Sequence, residues 1–502
     1  MDPVSSKAPT LRLLPALPVL RLIRFLSFVL SLAVASAAQT LHVDPARGVD
    51  LPGRGGPGAP FRTLTFAVGR AGPFATFLLA PGYYERSNGE VWPIDLPDLA
   101  TVRGDDRPGG GRVVFDAAAQ SGPLFRVVTA GNALVSIEDL EVVGDRGALL
   151  EVRPTTAAAF ATVTLRRCRS SLPLGCRLLG GSGALDVIDS TLDTDSGAIV
   201  VDADFPATVQ LRADRCRLKG GVVIVDLDAT GGGAVTARFR ATEFLAGAVH
   251  GLRVATDRSG TAQIGLEHVL FARCGLGAGA STRGAAIETV AGGTGVVPAI
   301  HVANSVFARN AHDAPAGGAG CTFGINLVEQ ADLVGAGANV LGRARFVDPV
   351  HGDWRLTSTS PGVGQGDVAA VSLWVDRDGR PRDRTAPDLG PNEVLRHAVH
   401  SIGDTRQGGR WEFALTSDSG APFGIVAGTA RRPNGFGVGE IHVDGVLVPT
   451  TLAGTCDGDG VGRFSLLAPA DPALVGLELY WQAFAGRVPE LGANAWRTIV
   501  RP

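Results

Sequence analysis

Apolar and small residues recur at a regular spacing through the middle of the chain. Between about residues 130 and 310, an apolar residue is followed three positions later by a mostly small one and then, two positions on, by another apolar residue. Successive groups are about 22 to 28 residues apart, with one longer step of about 36, and this period with Gly-rich breaks predicts a β-solenoid. The groups are Ile137/Leu140/Val142, Leu165/Cys168/Ser170, Val187/Ser190/Leu192, Ala213/Cys216/Leu218, Phe239/Thr242/Phe244, Leu266/Val269/Phe271 and Val302/Ser305/Phe307.

Stacking of successive turns would place equivalent residues in columns inside the coil. Parallel strands lie about 4.8 Å apart, so each column should repeat at that rise. A second apolar run after each Gly break, as at 198–201 and 222–225, predicts another sheet. The Gly- and Ala-rich stretch 275–295 is interpreted as an inserted surface loop. The middle column is predicted to contain Leu140, Cys168, Ser190, Cys216, Thr242, Val269 and Ser305.

The two ends of the chain have different patterns. Arg21 and Arg24 precede an apolar run at 25–34 and the small residues Ala-Ser-Ala at 35–37, an order typical of a signal peptide. The run is shorter than the roughly 20 residues of a bilayer span, which disfavours the alternative of an uncleaved anchor. Beyond residue 393, short strands of period two separated by Gly, Pro and Asp turns predict an antiparallel β-sandwich.

These patterns divide the chain into four segments. We predict a signal peptide at 1–37, an N-terminal cap with the first coils at 38–125, a parallel β-helix at 126–395 and a small β-sandwich at 396–502. Export to the periplasm, the cell surface or the medium follows, with no stable membrane span after the signal is removed. The formal charge of −3 offers no basic surface for nucleic acid.

Six cysteines in 502 residues are too few for a disulfide scaffold. Local bridges joining Cys168 to Cys176, or Cys274 to Cys321, are compatible with export, and so are buried free thiols. Cys168 and Cys216 lie two predicted turns apart, about 9 to 10 Å, which is too far for a bridge between them.

Residues near the start of the predicted mature chain resemble a known family. They are similar to the N-terminal domain of unknown function found on secreted, pectate-lyase-like right-handed β-helix proteins. The resemblance covers about residues 40–120 and implies an all-β fold with a right-handed parallel β-helix. It rests on Leu-His-Val-Asp at 41–44, Gly-Ala-Pro-Phe-Arg-Thr-Leu at 58–64, Leu-Leu-Ala-Pro-Gly-Tyr-Tyr at 78–84, Gly-Glu-Val-Trp-Pro-Ile at 89–94 and Val-Arg-Gly at 102–104.

The far end of the predicted coil resembles the terminal segment of secreted bacterial β-helix proteins. Gly-Val-Gly-Gln-Gly at 362–366 departs from that group, which has a small-Ile-Asp stretch there, so no role is assigned to the missing Asp. The matching strings are Phe-Val-Asp-Pro at 346–349, Gly-Asp-Trp-Arg-Leu at 352–356, Asp-x-Asp-Gly-x-Pro-Arg at 376–382 and Asp-Leu-Gly-Pro-Asn-Glu at 388–393.

Pectate-lyase-like coils that act on polysaccharides usually do so on an outer sheet face, where carboxylates of neighbouring turns hold Ca²⁺ or serve as acid and base. Asp202 and Asp204 precede Asp226 and Asp228 by 24 residues, so each Asp is expected about one rise from its partner. Four carboxylates this close would repel each other without a cation, which predicts a Ca²⁺ site. The alternative is that these residues end apolar runs and point into solvent.

Catalysis would require further residues. The resemblance implies an Arg or Lys base for a lyase, and Arg215 and Arg217, expected beside the Asp turns, are candidates together with Asp202 and Asp226. A glycoside hydrolase would need two suitably spaced carboxylates.

We therefore predict an exported β-helix protein that binds extended polysaccharide or cell-envelope partners along its lateral face. A Ca²⁺-assisted polysaccharide lyase or a glycoside hydrolase is one alternative, and a non-catalytic surface stalk is another.

Overall fold

A computed structural model of the protein describes most of the chain after residue 38. Residues 1–38, which include the predicted signal peptide at 1–37, lie outside it. No helix among the described residues is both long and apolar enough to cross a membrane. The described ranges are 39–105, 111–118, 120–178, 181–257, 259–279, 284–292, 296–313, 320–333, 336–394, 398–401, 405–436, 439–444, 453–485, 490–491 and 496–500.

Three parallel sheets make up the larger part of the described chain. The first sheet contains β1 (Thr40–Val43), β2 (Thr76–Leu79), β5 (Leu99–Gly104), β8 (Asn132–Glu138), β11 (Phe160–Arg166), β14 (Ser182–Ile188), β17 (Thr208–Asp214), β20 (Ala234–Arg240), β23 (Thr261–Glu267), β26 (Ala299–Ala303) and β28 (Cys321–Phe323). The second sheet contains β3 (Gly82–Tyr84), β6 (Val113–Asp116), β9 (Glu141–Val143), β12 (Arg169–Ser170), β15 (Thr191–Asp193), β18 (Arg217–Lys219), β21 (Glu243–Leu245), β24 (Leu270–Ala272), β27 (Ser305–Ala308), β29 (Asn326–Val328) and β30 (Val340–Leu341). The third sheet contains β4 (Ile94–Asp95), β7 (Pro123–Thr129), β10 (Ala148–Pro154), β13 (Leu174–Leu178), β16 (Ile199–Ala203), β19 (Val223–Ala229), β22 (His250–Asp257) and β25 (Ala285–Gly292).

From β2 to β25, each turn of the coil contributes one strand to each sheet. The chain passes from β14 to β15, then to β16, and returns to the first sheet as β17. Each strand pairs in parallel with its equivalent in the next turn, and Thr208 of β17, for example, lies opposite Ala234 of β20. This winding is a parallel β-helix, which confirms the predicted solenoid.

The predicted column of small residues is present inside the coil. Ser190, Cys216 and Thr242 are buried. Their backbone and side chains connect adjacent turns: the Cys168 N–H donates to Ser190 Oγ at 3.1 Å and the Cys216 N–H donates to Thr242 Oγ1 at 3.4 Å. Small polar residues therefore satisfy backbone donors in a narrow interior. All six cysteines are free thiols.

A backbone corner precedes each residue of this column. There the chain leaves the first sheet and enters the second through one residue in the left-handed region. Positive φ costs a non-glycine residue roughly 1 to 2 kcal/mol, so the surrounding coil must hold this conformation in place. The corner residues are Asp139, Arg167, Asp189, Arg215, Ala241, His268 and Asn304, with φ between 49° and 59°.

Aromatic rings form a second column beneath the second sheet. Phe244 stacks on Phe271 with ring centroids 4.5 Å apart, and Phe271 stacks on Phe307 at 5.3 Å. All three side chains are fully buried. The coil interior is thus wide enough for phenylalanine at the C-terminal turns.

The N-terminal end of the coil is covered by a short helix, which lies within the segment predicted as an N-terminal cap. Helix α1 spans Leu64–Val68 and is capped by Thr63, whose hydroxyl accepts from the Phe66 N–H. Buried Glu90 accepts from the N–H groups of Leu64 and Thr65. Leu64 and Ala67 are buried against the first turn.

The stretch 275–295 is only partly the surface loop that the sequence suggests. Residues 285–292 form β25, which pairs with β22 at the end of the third sheet. Ala285, Ala286 and Ile287 are buried there. Small side chains suit this buried position, so the Gly- and Ala-rich composition did not indicate a loop at 285–292.

The C-terminal part forms antiparallel sheets, which confirms the predicted β-sandwich. Trp411, Phe413 and Trp481 pack in its core. It contacts the coil end, where the Arg463 guanidinium donates to the Val347 carbonyl at 2.9 Å. A hairpin joins β31 (Phe346–Asp348) to β32 (Asp353–Leu356). One sheet of the sandwich contains β33 (Ala398–Ser401), β34 (Arg410–Thr416) and β39 (Val461–Leu467), and another contains β38 (Ala453–Thr455), β35 (Pro422–Gly428), β40 (Glu478–Ala485), β41 (Glu490–Leu491) and β42 (Trp496–Ile499). A further pair is formed by β36 (Ala430–Phe436) and β37 (Gly439–Asp444).

Candidate functional site

The predicted acidic residues lie on the third sheet, but in a different register from the one expected. Asp202 lies opposite Asp228, and Val200 lies opposite Asp226. Asp204 follows the end of β16 and forms an isolated bridge with Gly232. The spacing between equivalent positions is therefore 26 residues, and the expected offset of 24 is wrong. The strand register decides which residues of neighbouring turns lie opposite each other, so a repeated Asp-x-Asp motif need not stack on itself.

Arginines compensate two of these four carboxylates. Asp226 Oδ1 lies 2.8 Å from Arg253 Nη1, and Asp202 Oδ2 lies 3.2 Å from Arg177 Nε. Asp228 accepts from the Thr230 N–H at 2.8 Å. Burial and the neighbouring Asp204 raise the pKa of Asp202, which shows that the carboxylates still affect each other.

The structure does not gather the four predicted calcium ligands into one cluster. Among the described residues, no group of three or more His, Cys, Asp or Glu side chains is placed to hold a metal ion. Ca²⁺ requires six to eight oxygen ligands, whereas Asp226 and Asp202 each face a guanidinium group. The calcium site at Asp202, Asp204, Asp226 and Asp228 stays a prediction.

Arg253 is the centre of a cluster that the sequence did not reveal. Besides Asp226, its Nε lies 3.4 Å from Glu288 Oε2, and the same Glu288 oxygen lies 3.2 Å from Nε2 of buried His250. Burial lowers the pKa of His250 in spite of Glu288. Burial also lowers the pKa of Arg253, but Asp226 and Glu288 outweigh it and raise the pKa above its usual value. Arg253 is therefore a permanent cation.

This cluster belongs to a row of outward-facing positions along the third sheet. Gly175 and Val200 separate charged residues on either side, and Val200 is 41% exposed. Seven rises of about 4.8 Å give the row a length of about 34 Å. We call this row the charged strip; in order it contains Asp95, Arg126, Glu151, Gly175, Val200, Asp226, Arg253 and Glu288.

Arg215 and Arg217 do not lie beside these carboxylates, contrary to expectation. Arg215 is a corner residue between the first and second sheets, and Arg217 is on β18 of the second sheet. The left-handed corner directs the chain onto a different face of the coil from β16 and β19. The two arginines and the predicted Asp residues therefore do not form one catalytic group.

Both arginines are held by carboxylates. Arg215 makes two hydrogen bonds to Asp189, at 2.6 and 2.8 Å, and these raise its pKa. Burial lowers the pKa of Arg217, but Glu243, 2.5 Å away, outweighs it and the pKa is raised. A general base must lose its proton near the working pH, so these environments disfavour that role, and the catalytic roles of Arg215 and Arg217 stay predictions.

Arg217 instead lines a cleft of about 550 Å³ between the second sheet and the segment that follows the coil. We call this cleft the arginine cleft. Its charged walls were not predicted because they come from parts of the sequence more than 100 residues apart. The ionisable lining residues are Arg217, Glu243, His351, Asp353, Arg355, Arg377, Asp378 and Arg380.

The stacked sheets define the class of protein, a parallel β-helix. Residues 46–146 match the model of a family described as a protein of unknown function, DUF1565. This match confirms the predicted resemblance of the N-terminal segment. No curated protein matches the sequence.

Solved β-helix structures show weak overall similarity to the chain. Pectate lyase Pel9A has a TM-score of 0.34 at 12% identity, over 72% of this chain and 97% of that one. A rhamnogalacturonan lyase gives 0.27 at 13% identity, over 58% and 72%. Full-length tailspike protein 2 from Escherichia coli O157:H7 bacteriophage CAB120 gives 0.35 at 10% identity, over 90% and 65%. At these values the strand pairing, and not the superposition, defines the fold.

Proposed function

We propose that the protein is exported and binds extended polysaccharide along the charged strip of the third sheet. The observation that supports this most is the regular spacing of outward-facing side chains over about 34 Å of a rigid sheet. A polymer lying along the strip would meet a contact point at every turn. Export rests on the predicted signal peptide at 1–37.

The middle of the strip offers room for a ligand. Gly175 has no side chain, and an added Cβ would meet only the Leu150 carbonyl oxygen, at 3.5 Å. Glycine inside a strand often marks a place where a ligand approaches closely. Val200 adds an exposed apolar surface beside it. The apolar face of a sugar ring suits this floor, and its hydroxyls suit the charged groups at both ends.

The charge arrangement supports binding over chemistry. Asp226 and Glu288 share Arg253, and the raised pKa of Arg253 keeps its proton in place. A lyase base at this position would have to give up that proton. The lyase or hydrolase alternative, and that of a surface stalk, are separated by the experiment below.

The experiment measures retention of the protein on a panel of insoluble polysaccharides and envelope fractions. Gly175→Gln would fill the centre of the strip, so retention should fall at least about tenfold, as expected for the loss of a well-placed binding contact. Gly265→Gln is the matched control, because Gly265 faces outward on the first sheet and an added Cβ would meet only Arg238 Cγ, at 3.8 Å. It should leave retention unchanged.

Each outcome distinguishes the alternatives. Equal loss of retention in both variants, or no loss in Gly175→Gln, would show that the charged strip is not the binding surface. Failure of the wild type to bind any member of the panel would favour a stalk. Release of unsaturated products or new reducing ends during incubation would favour the enzyme.

A further inference from the structure

The arginine cleft has walls from two distant parts of the chain. Arg217 and Glu243 come from adjacent turns of the second sheet, where they lie opposite each other. The other wall is formed by 351–355 and 377–380. Arg217 Nη2 donates to the Gly352 carbonyl at 2.9 Å and so joins the two walls. The cleft is therefore a built part of the tertiary structure and not a gap between loose side chains.

Charge in the cleft is unevenly balanced. Four guanidinium groups face three carboxylates, which leaves one positive charge over. Glu243 has only 1% of its side chain exposed and lies between Arg217, at 2.5 Å, and Arg377, at 3.3 Å. Arg355 Nε donates to Asp353 at 2.8 Å. Three of the four guanidinium groups thus lie beside a carboxylate of the walls, but Arg217 and Arg377 share the single negative charge of Glu243.

Arg380 and Arg377 keep the capacity to bind a ligand. Arg380 Nη1 lies 3.6 Å from Asp378, too far for a hydrogen bond, and 23% of its side chain is exposed. Nε of Arg377 is buried and has no hydrogen-bond acceptor among the described residues. Buried donors are nearly always satisfied in folded proteins, so a missing acceptor at this position points to a bound group or water.

We propose that the arginine cleft binds a small monocarboxylate. One carboxylate would neutralise the remaining positive charge and supply acceptors to the planar fork of Arg380 and to Nε of Arg377. The volume of about 550 Å³ lies in the range of small-molecule sites. Arg217 and Arg355 remain charged, because Glu243 and Asp353 raise their pKa values against the lowering effect of burial.

This site is independent of the charged strip. The strip is on the third sheet, whereas Arg217 and Glu243 belong to the second sheet, so one straight polymer cannot occupy both. The proposed monocarboxylate site can therefore be tested independently of the proposed polysaccharide surface.

Calorimetric titration of the full chain with D-glucuronate, and with D-glucose as the neutral match, tests the proposal. Glucuronate should bind, more weakly at high salt, and glucose should not. Arg380→Ala should weaken glucuronate binding at least about tenfold, as expected for a charge-assisted hydrogen bond. Arg384→Ala is the control, because Arg384 is in the same segment but stacks over Trp374 at 5.7 Å, outside the lining.

Arg377→Lys adds a test of geometry, since lysine keeps the charge but not the fork, and it too should weaken binding. Circular dichroism of each variant checks that it is folded. Absence of glucuronate binding, equal binding of glucose, or equal affinity of Arg380→Ala and Arg384→Ala would overturn the proposal. Gly175→Gln, which blocks the charged strip, should bind glucuronate as the wild type does.

Discussion

Replacement of Phe271 by alanine tests whether the coil is stabilised by its stacked core. Phe271 is fully buried between Phe244 and Phe307, at centroid distances of 4.5 and 5.3 Å. Truncation of a buried phenylalanine costs about 3 to 5 kcal/mol, and each stacked pair adds about 0.5 to 1.5 kcal/mol. With two stacks lost, we expect a value near the upper end, about 5 kcal/mol, against a total stability of about 5 to 15 kcal/mol for typical proteins.

The assay is equilibrium urea unfolding followed by far-ultraviolet circular dichroism. If the slope is about 3 kcal/mol per molar urea, the midpoint should fall by about 1.7 M. Phe160→Ala is the matched control, because Phe160 opens β11 with 38% of its surface exposed. Phe160→Ala should lower the free energy of unfolding by well under half as much as Phe271→Ala. Equal destabilisation by the two substitutions would refute the inference that the phenylalanine column carries a large share of the packing energy.

Two further predictions concern ionisable groups. Burial and Asp388 raise the pKa of Glu393 from 4.5 to about 7. Because the native state keeps a proton that the unfolded chain releases between pH 4.5 and 7, stability should fall as the pH rises through that window. The Tm of Glu393→Gln should change less across the window, and an unchanged pH dependence would contradict this. Since Asp226 and Asp202 already face Arg253 and Arg177, calorimetry should give a Ca²⁺ Kd weaker than about 10⁻³ M. Tighter binding that Asp226→Ala abolishes would instead support the predicted calcium site.

The core of the coil could be predicted from sequence because burial restricts side chains. Ser190, Cys216 and Thr242 occupy a narrow space, and the flanking apolar residues mark the strands, so the period was recognisable. The corner residues before them were not predicted. Arg167, Asp189 and Ala241 share a backbone conformation but no side-chain chemistry, so nothing in the sequence marks them.

The candidate sites were harder to predict for two physical reasons. A shift of two residues keeps every side chain of a strand on the same face, so alternation cannot distinguish an offset of 24 from the observed 26 at Asp202 and Asp226. The arginine cleft depends on contact between Arg217 and Gly352, which lie 135 residues apart. Local patterns contain no information about such a contact.

The left-handed corners have a consequence for how the chain could lengthen or shorten. Arg215 and Ala241 adopt nearly the same backbone conformation, with φ of 55° and 49°, although one is charged and the other is a buried methyl group. A segment that runs from one corner to the next therefore begins and ends in the same geometry, whatever its composition. Whole coils can be gained or lost between corners during evolution without redirecting the axis. The length of the molecule is then a variable quantity, set by the number of such modules.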